Sequence, residues 1–343
     1  MTGLTTWNEL LSQPDTWQRL IERLDRGPGV PAVSLEDYDE VIALGSGTSY
    51  YLALAAADHI RRRCSIDARA VPSCEVMLDA WETRPAPQRR RRRLALAISR
   101  SGESSELLAA IKALQAAGVF VLGISCVAES ALLARADEAF LIDEGREDGL
   151  VMLRSFTSML IALQHLFGTE DDRAALRALP DAGRQALTHN EEVRALVKRR
   201  AFNRFVFLGS GSSYPLALEA SLKGQEMSIS TSEAYHSLEY RHGPKATADC
   251  DTIVTIFTLS DAELGKSLAR DVKALGATVL VVGAGAELYA GIADLVIPAA
   301  HDADPGRVAP VDLLPLQVLA FETAMRRGKN PDAPVNLSKV VIL

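Results

Sequence analysis

A twelve-residue segment occurs twice in this chain of 343 residues, beginning at residues 45 and 209. The two copies read GSGTSYYLALAA and GSGSSYPLALEA, and they share nine of their twelve residues. A short apolar run, 41–44 or 205–208, precedes each copy. Repeats of about 20–50 residues indicate a solenoid, whereas this much wider spacing predicts two domains with one fold.

Each copy is predicted to be a strand, a Gly/Ser turn and a helix, and further apolar runs alternate with helical stretches. Continuous apolar strands separated by helices are typical of a parallel sheet covered on both faces. With right-handed crossovers, the sequence predicts an α/β fold of two tandem flavodoxin-like domains, each a parallel sheet flanked by helices. The predicted strands are 41–44, 68–72, 94–99, 120–125, 139–142, 205–210, 252–259, 278–282 and 295–297, and the predicted helices include 49–63, 103–117 and 262–275.

The chain is predicted to contain five segments. A helical extension takes residues 1–30, and a polar helical linker rich in Arg and Ala takes residues 176–200. The two domains are expected at 31–175 and 201–327. The tail, 328–343, contains two prolines but ends on the apolar run VVIL, which favours a docked tail that contributes to the active site.

Composition restricts the partners and the compartment. The formal net charge is −7 and the pI is about 5.5, whereas a nucleic-acid binder usually has a basic face. The basic run at 89–93 precedes a predicted strand and is interpreted as a solvated loop, with a phosphate or nucleic-acid patch as the alternative. The four cysteines have no CxxC or zinc-type spacing, and no segment resembles a signal peptide or a membrane span. We therefore expect a cytoplasmic protein without nucleic-acid or membrane partners.

Two polar segments are candidate anion sites, because each follows a predicted strand and opens a helix. Helix N-termini carry free N–H groups and a positive dipole end, which suit a phosphate. The first segment contains Gly47, Thr48 and Ser49, and a plain helix cap without a ligand is its alternative. The second is the run SRSGES, whose candidate ligands are Ser99, Arg100, Ser101 and Ser104.

Four further residues are candidates for chemistry, although each has a plainer interpretation when taken alone. Lys223 and Glu226 are three apart on a predicted helix, which also fits a surface ion pair. His242 precedes Gly-Pro and is expected on a turn, where it could act as an acid or base or be structural. Lys339 in the tail could reach a site or be exposed. The other histidines have no metal spacing, so no metal ion is expected.

In combination and in this order, the segments GSGTS, SRSGES, KGQE, SEAY, LEYRHGP and NLSK resemble the sugar-isomerase (SIS) domain superfamily. The pattern is most similar to the tandem-SIS isomerase half of glucosamine-6-phosphate synthase and to stand-alone amino-sugar-phosphate isomerases and deaminases. The similarity runs from about residue 41 to residue 343. It implies an aldose–ketose isomerase that acts on a 6-phosphosugar, such as glucosamine 6-phosphate or fructose 6-phosphate. Such an enzyme moves a proton between C1 and C2 and needs no cofactor.

The resemblance also implies roles for single residues. Glu226 matches the glutamate that shuttles the proton, and Lys223 matches the lysine one helical turn before it. His242 matches a histidine that assists ring opening from the neighbouring subunit, and Lys339 matches a tail lysine that reaches the site. The family therefore implies at least a homodimer with a shared active site. The residues that match the phosphate-holding loops are Ser49, Ser99, Arg100, Ser101 and Ser104.

Three departures from the family pattern leave the reaction open. Arg100 stands where the synthase has Gln, and Met152 and Leu153 replace two hydroxyl residues of a Ser-Thr-Lys run. The sequence begins Met-Thr-Gly and has no cysteine before Cys64, so we expect no glutaminase-type supply of ammonia. The alternative functions are an amino-sugar-6-phosphate deaminase, a fructosamine-6-phosphate deglycase and a non-catalytic sugar-phosphate sensor. A 6-sulfonate could replace the phosphate, since helix N-termini bind either anion.

Overall fold

A computed structural model describes residues 2–78, 92–299, 304, 307 and 309–343, so positions 89–91 of the basic run lie outside the described residues. The chain divides into two compact units, each containing one sheet. The first unit consists of the described residues of Asp15–Asp148, Met152–Arg177 and Ser338–Leu343. The second consists of the described residues up to Pro14, together with those of Gly149–Val151 and Ala178–Leu337. The two units interleave along the chain, and the linear domain boundaries given above stay a prediction.

The described residues form twelve α-helices and ten strands. Their bounds are α1 Leu4–Leu11, α2 Gln13–Arg26, β1 Glu40–Gly45, α3 Thr48–Arg63, β2 Asp67–Pro72, α4 Ser73–Met77, β3 Arg93–Ile98, α5 Ser105–Ala116, β4 Phe120–Ser125, α6 Ala131–Arg135, β5 Glu138–Leu141, α7 Arg154–Phe167, α8 Glu170–Leu187, α9 Asn190–Arg199, β6 Arg204–Gly209, α10 Tyr214–Ser228, β7 Thr231–His236, β8 Thr252–Phe257, α11 Ala262–Ala274, β9 Thr278–Gly283, β10 Leu295–Pro298 and α12 Leu314–Arg326.

Both sheets are parallel and have the same topology. The strand order of the first is β2-β1-β3-β4-β5, and that of the second is β7-β6-β8-β9-β10. Each strand of the second sheet therefore occupies the same position in its sheet as the strand five places earlier in the chain occupies in the first sheet. This is the flavodoxin-like order, and it confirms the predicted α/β fold with two parallel sheets flanked by helices.

Each unit has an apolar core of its own between its central strands and its helices. Ile42 of β1, Val121 of β4 and Leu114 of α5 are each at most 1% exposed and belong to the core of the first unit. Val206 of β6 and Leu268 of α11 are fully buried in the core of the second unit. Central strands covered on both faces must be apolar on both faces, which explains the continuous apolar runs in the sequence.

A glycine ends the first strand of each sheet because no side chain fits there. A Cβ atom added to Gly45 would lie 2.3 Å from the backbone of Ser49, and one added to Gly209 would lie 2.5 Å from the carbonyl oxygen of Ser213. The helix that follows each turn therefore passes directly against the end of the strand. This close approach is the physical reason why both copies of the repeat begin with glycine.

The edge strand β7 was not among the predicted strands. Its sequence, TSEAYH, has no continuous apolar run, and most of its residues are partly or fully exposed. It pairs with β6 alone, in the register Arg204↔Thr231 to Gly209↔His236. An edge strand that is covered incompletely can carry polar side chains, so apolar patterning does not detect it. Within the described ranges, none of the helices combines the length and the apolarity needed to cross a membrane.

Candidate active site

The first Gly/Ser turn leaves a buried hydroxyl group available at the start of α3. Gly47 has a φ of 56°, which allows the chain to turn into the helix, and Thr48 and Ser49 are only 5% and 6% exposed. The Ser49 hydroxyl has no hydrogen-bond partner among the described residues. The Ser46 hydroxyl donates to the Glu106 carboxylate at 3.3 Å, so one acidic group borders this turn.

The second Gly/Ser turn uses the corresponding hydroxyl internally. The Ser213 hydroxyl donates to the carbonyl oxygen of Ser210 at 2.9 Å and accepts from the Ser210 N–H at the same distance. The Ser210 hydroxyl in turn accepts from the N–H of Ser237 at 3.3 Å. The two copies of the repeat therefore differ in their hydrogen bonding, and a 3-10 turn, Gly211–Ser213, precedes α10, whereas α3 begins directly at Thr48. The available Ser49 hydroxyl makes the first copy better suited to an external anion.

The SRSGES segment forms the loop between β3 and α5 in the first unit. The Ser99 hydroxyl accepts from the N–H of Gly102 at 3.0 Å, and the Ser101 hydroxyl accepts from the N–H of Glu103 at 3.2 Å. Gly102 has a φ of 68°, and a Cβ atom there would overlap with Ser130 at 2.4 Å. Ser104 is the N-cap residue of α5, but its side chain makes no capping hydrogen bond. Ser99 and Arg100 are buried.

In the second unit, the N-terminus of the equivalent helix, α11, is capped by the carboxylate of an aspartate side chain. Asp261 is the N-cap residue of α11, and its carboxylate accepts from the N–H groups of Glu263 and Leu264, both at 3.0 Å. A carboxylate at a helix N-terminus satisfies the free N–H groups and the dipole there. Of the two equivalent helix starts, only that of α5 thus lacks a side-chain cap, which favours the first unit for phosphate binding.

The tail places Lys339 in the first unit, beside the SRSGES loop. The Lys339 ammonium donates to the carbonyl oxygens of Glu147 and Asp148 at 3.0 and 2.9 Å. The Arg100 guanidinium donates to the carbonyl oxygen of Lys339 at 3.2 Å and lies 3.6 Å from the Glu147 carboxylate. Two of the candidate residues, 239 positions apart in the sequence, are therefore in direct contact.

A buried carboxylate that the sequence analysis missed organises this region. The Glu147 side chain is 0% exposed and accepts from the N–H groups of Leu153 and Ser155 at 2.7 and 3.1 Å. It also accepts from the Ser155 hydroxyl at 2.6 Å, so it caps the N-terminus of α7. Leu153, which replaces a hydroxyl residue of the family pattern, is fully buried, whereas Met152 is partly exposed.

In the second unit, Lys223 and Glu226 form an ion pair on a largely buried face of α10 rather than on a solvent-exposed one. The Lys223 side chain is 0% exposed, and its ammonium lies 2.5 Å from the Glu226 carboxylate and 3.1 Å from that of Glu219. Burial opposes the charge on Lys223, but the two carboxylates outweigh this effect and raise its pKa. The Glu226 side chain is 19% exposed, while Glu219 is fully buried.

Glu219 is a second residue that the sequence analysis missed. It lies four residues before Lys223 on the same helical face, in the segment LALEASLKGQE. The spacing of an acidic and a basic residue by four is a helical ion-pair signal. The spacing alone does not point to Glu219, because the sequence of the segment does not reveal that this face of the helix is buried.

His242 follows a short 3-10 turn, Glu239–Arg241, as its position before Gly-Pro predicted. Its backbone N–H donates to the carbonyl oxygen of Glu239 at 2.9 Å, and its side chain is exposed. The ring makes no hydrogen bond or ion pair with the rest of the described chain. Another histidine, His236, stacks on Tyr214 with ring centroids 3.7 Å apart. In the described residues, no three His, Cys, Asp or Glu side chains form a group that could hold a metal ion.

Known proteins resemble this chain over most of its length. The family model described as SIS domain matches it twice, at residues 34–168 and 200–327. The glutamine–fructose-6-phosphate aminotransferase (isomerizing) of Pyrobaculum aerophilum is 31% identical over 318 residues, which cover 88% of this chain and 51% of that protein. The protein of the same name from Xanthomonas campestris is 32% identical over 333 residues, covering 92% and 53%. The chain thus spans about half the length of the curated relatives it matches.

Two solved structures match almost the entire chain. The glucosamine-6-phosphate deaminase of Thermotoga maritima has a TM-score of 0.84 and 31% identity, and the match covers 99% of this chain and 100% of that one. The tagatose-6-phosphate ketose/aldose isomerase from Escherichia coli has a TM-score of 0.85 and 24% identity, with coverages of 96% and 95%. The second likeness concerns the fold alone, whereas the first extends to the sequence.

Proposed function

Because this chain belongs to the SIS domain family, we propose that it is a phosphosugar enzyme that moves a proton between C1 and C2 of an open-chain 6-phosphosugar. The observation that carries the proposal is the arrangement on α10, where a fully buried Lys223 holds the carboxylate of a partly exposed Glu226. A carboxylate that is held in one orientation and is still open to solvent is available to accept a proton from a substrate. A surface ion pair would not bury its lysine completely.

Glu226 is the proposed proton carrier. In the aldose-to-ketose direction, its carboxylate takes the proton from C2 while the C1 carbonyl oxygen gains a proton, which gives an enediol. Glu226 then returns its proton to C1, and the C2 hydroxyl loses a proton to become the carbonyl. The substrate and the product are isomers, so the proton transfers balance and the step needs neither oxidant nor reductant.

Lys223 is proposed to stabilise the negative charge that develops during these transfers. Its raised pKa keeps the ammonium protonated across the neutral range. A buried charge that is already in place requires no reorganisation when the charge of the substrate changes. Glu219 is proposed to hold this ammonium in position from the opposite side, since it contacts Lys223 but is itself 0% exposed.

Phosphate binding is assigned to the two loops of the first unit. The absence of a side-chain cap at α5 and the available Ser49 hydroxyl support this assignment, because Asp261 caps the equivalent helix of the second unit and the Ser213 hydroxyl is used internally. The first N–H of α5, that of Ser105, donates to the carbonyl oxygen of Val341 and is not among the proposed ligands. Binding energy from a held phosphate can orient the reacting carbons. The proposed ligands are Gly47, Thr48, Ser49, Ser99, Arg100, Ser101 and Ser104.

The remaining assignments follow the family resemblance. His242 is proposed to assist ring opening, and its exposed ring on a turn is compatible with presentation to a neighbouring subunit. A homodimer with a shared active site is therefore part of the proposal. Lys339 is proposed to act on the sugar from the docked tail.

Deamination is the second candidate, and the Thermotoga maritima relative favours it, because the match covers nearly all of both chains. With a 2-amino sugar, removal of the C2 proton gives an enolamine, and return of the proton to C1 gives a C2 imine. Water then adds to C2 and ammonia leaves, so the product is a ketose phosphate. The same base therefore serves both reactions, and the C2 substituent of the substrate decides between them.

The two reactions can be separated in one experiment. Protein incubated in D₂O with glucosamine 6-phosphate, fructose 6-phosphate or their galacto isomers is followed by NMR for deuterium at C1 and C2, together with an assay for free ammonia. Deuterium exchange without ammonia supports the isomerase, and exchange with ammonia supports the deaminase. If no substrate exchanges a proton, the proposal is wrong.

A further inference from the structure

The last residues of the chain lie against the start of α5, where the SRSGES loop ends. The N–H of Ser105 donates to the carbonyl oxygen of Val341 at 3.4 Å, and the N–H of Leu343 donates to the Ser105 hydroxyl at 3.3 Å. The ammonium of Lys339 bonds to two carbonyl oxygens of the segment before α7. The tail is thus joined to the start of α5 on one side and to the segment before α7 on the other.

Arg100 is the residue that connects these contacts. Its side chain is 8% exposed, and its guanidinium lies between the Glu147 carboxylate at 3.6 Å and the Lys339 carbonyl oxygen at 3.2 Å. Glu147 cannot move away, because Leu153 and Ser155 donate three hydrogen bonds to it. The arginine is therefore held by a fixed carboxylate at one end and holds the tail backbone at the other.

We infer that Arg100 is a positioning residue that clamps the tail, so that the side chain of Lys339 is held at a fixed place beside the SRSGES loop. A planar guanidinium carries several N–H donors on one rigid fork and can serve a carboxylate and a carbonyl together. A glutamine at this position would be shorter and uncharged and could not bridge both groups.

The clamp deepens the proposed function, since any role of the clamped Lys339 in catalysis rests on that function. The clamp itself concerns the ligand-free chain and can be measured without any substrate. If no sugar phosphate is turned over, the proposed function fails while the clamp remains testable, and the two failures are therefore distinguishable.

Endoproteinase Lys-C provides the test, because it must accept the side chain of Lys339 before it can cut the bond to Val340. Cleavage requires the Lys339 ammonium to leave the carbonyl oxygens of Glu147 and Asp148. The full chain is digested under native conditions, and intact-mass spectrometry follows release of the four-residue product. Cleavage after the exposed Lys329 serves as the internal reference. Arg135→Gln, at an exposed position of the same unit, is the matched control variant.

In Arg100→Gln, cleavage at Lys339 relative to Lys329 is expected to rise about tenfold, as for the loss of one charged hydrogen bond. The Arg135→Gln ratio is expected to equal that of the wild type. An unchanged ratio in Arg100→Gln would overturn the inference, even if the variant bound inorganic phosphate more weakly, since that pattern indicates a phosphate ligand alone. A parallel rise at both lysines would also overturn it, because it would indicate general loosening of the fold.

Discussion

Replacing Lys223 with methionine is expected to destabilise the second unit strongly. Methionine fills a similar volume but removes the positive charge that the carboxylates of Glu219 and Glu226 share. Glu226 is 19% exposed and can recover part of its hydration, whereas Glu219 is 0% exposed and cannot. Removing one partner of a buried ion pair costs about 3–5 kcal/mol. For a unit of this size, such a loss lowers the melting temperature by roughly 6–20 °C.

The pH dependence of this loss follows from the carboxylate left behind. Without the ammonium, burial is expected to raise the pKa of Glu219 in the variant above its unfolded value. A carboxyl group with a raised pKa destabilises the fold increasingly as pH rises from the unfolded pKa to the folded one. The difference between variant and wild type should therefore be smaller near pH 5 than near pH 8.

Scanning calorimetry at both pH values measures the two effects. Lys198→Met, at an exposed position on α9 of the same unit, is the control and should melt within about 1 °C of the wild type. The double variant Lys223→Met with Glu219→Leu should recover part of the lost stability, because it removes the stranded buried charge. A melting temperature within about 2 °C of the wild type in Lys223→Met at pH 8 would refute the reasoning.

Three further predictions concern single side chains. Glu226→Gln should lower turnover by about 100-fold or more while sugar-phosphate binding stays intact, and a variant that kept full activity would contradict the assignment of the base. Ser49→Ala should weaken inorganic phosphate binding about tenfold in calorimetric titration, whereas Ser213→Ala should leave binding unchanged and cost about 1 kcal/mol of stability. Asp261→Ala should destabilise the second unit by about 1 kcal/mol through loss of the α11 cap, and an unchanged urea midpoint would count against that cap.

The fold was largely predictable because its main signals are local. A central parallel strand must be apolar on both faces, and the first strand of each sheet must end on glycine. Both features can therefore be recognised in a short segment such as the one that ends at Gly45. The duplication of that segment also predicted that one topology occurs twice. The edge strand β7 was missed for a related reason, since a partly exposed strand needs no apolar pattern.

The candidate residues were found from motifs, but their partners were not. The sequence shows that Lys223 and Glu226 share a helical face, yet the same spacing fits a surface pair worth little. Burial on α10 decides between the two interpretations and adds Glu219 as a third member. Likewise, the two Gly/Ser turns have similar sequences. Only the folded chain distinguishes them, because the Ser213 hydroxyl forms hydrogen bonds within its own turn.

The sequence by itself determined the type of fold, its duplication and the residues that could carry chemistry, because each depends on neighbours within a few turns of chain. The tertiary structure decided which of them are buried and what each one contacts. The contact between Arg100 and Lys339 joins residues 239 positions apart, and no periodicity or spacing encodes it. Such contacts arise only when separate elements pack, since burial and charge pairing depend on the surroundings that packing creates.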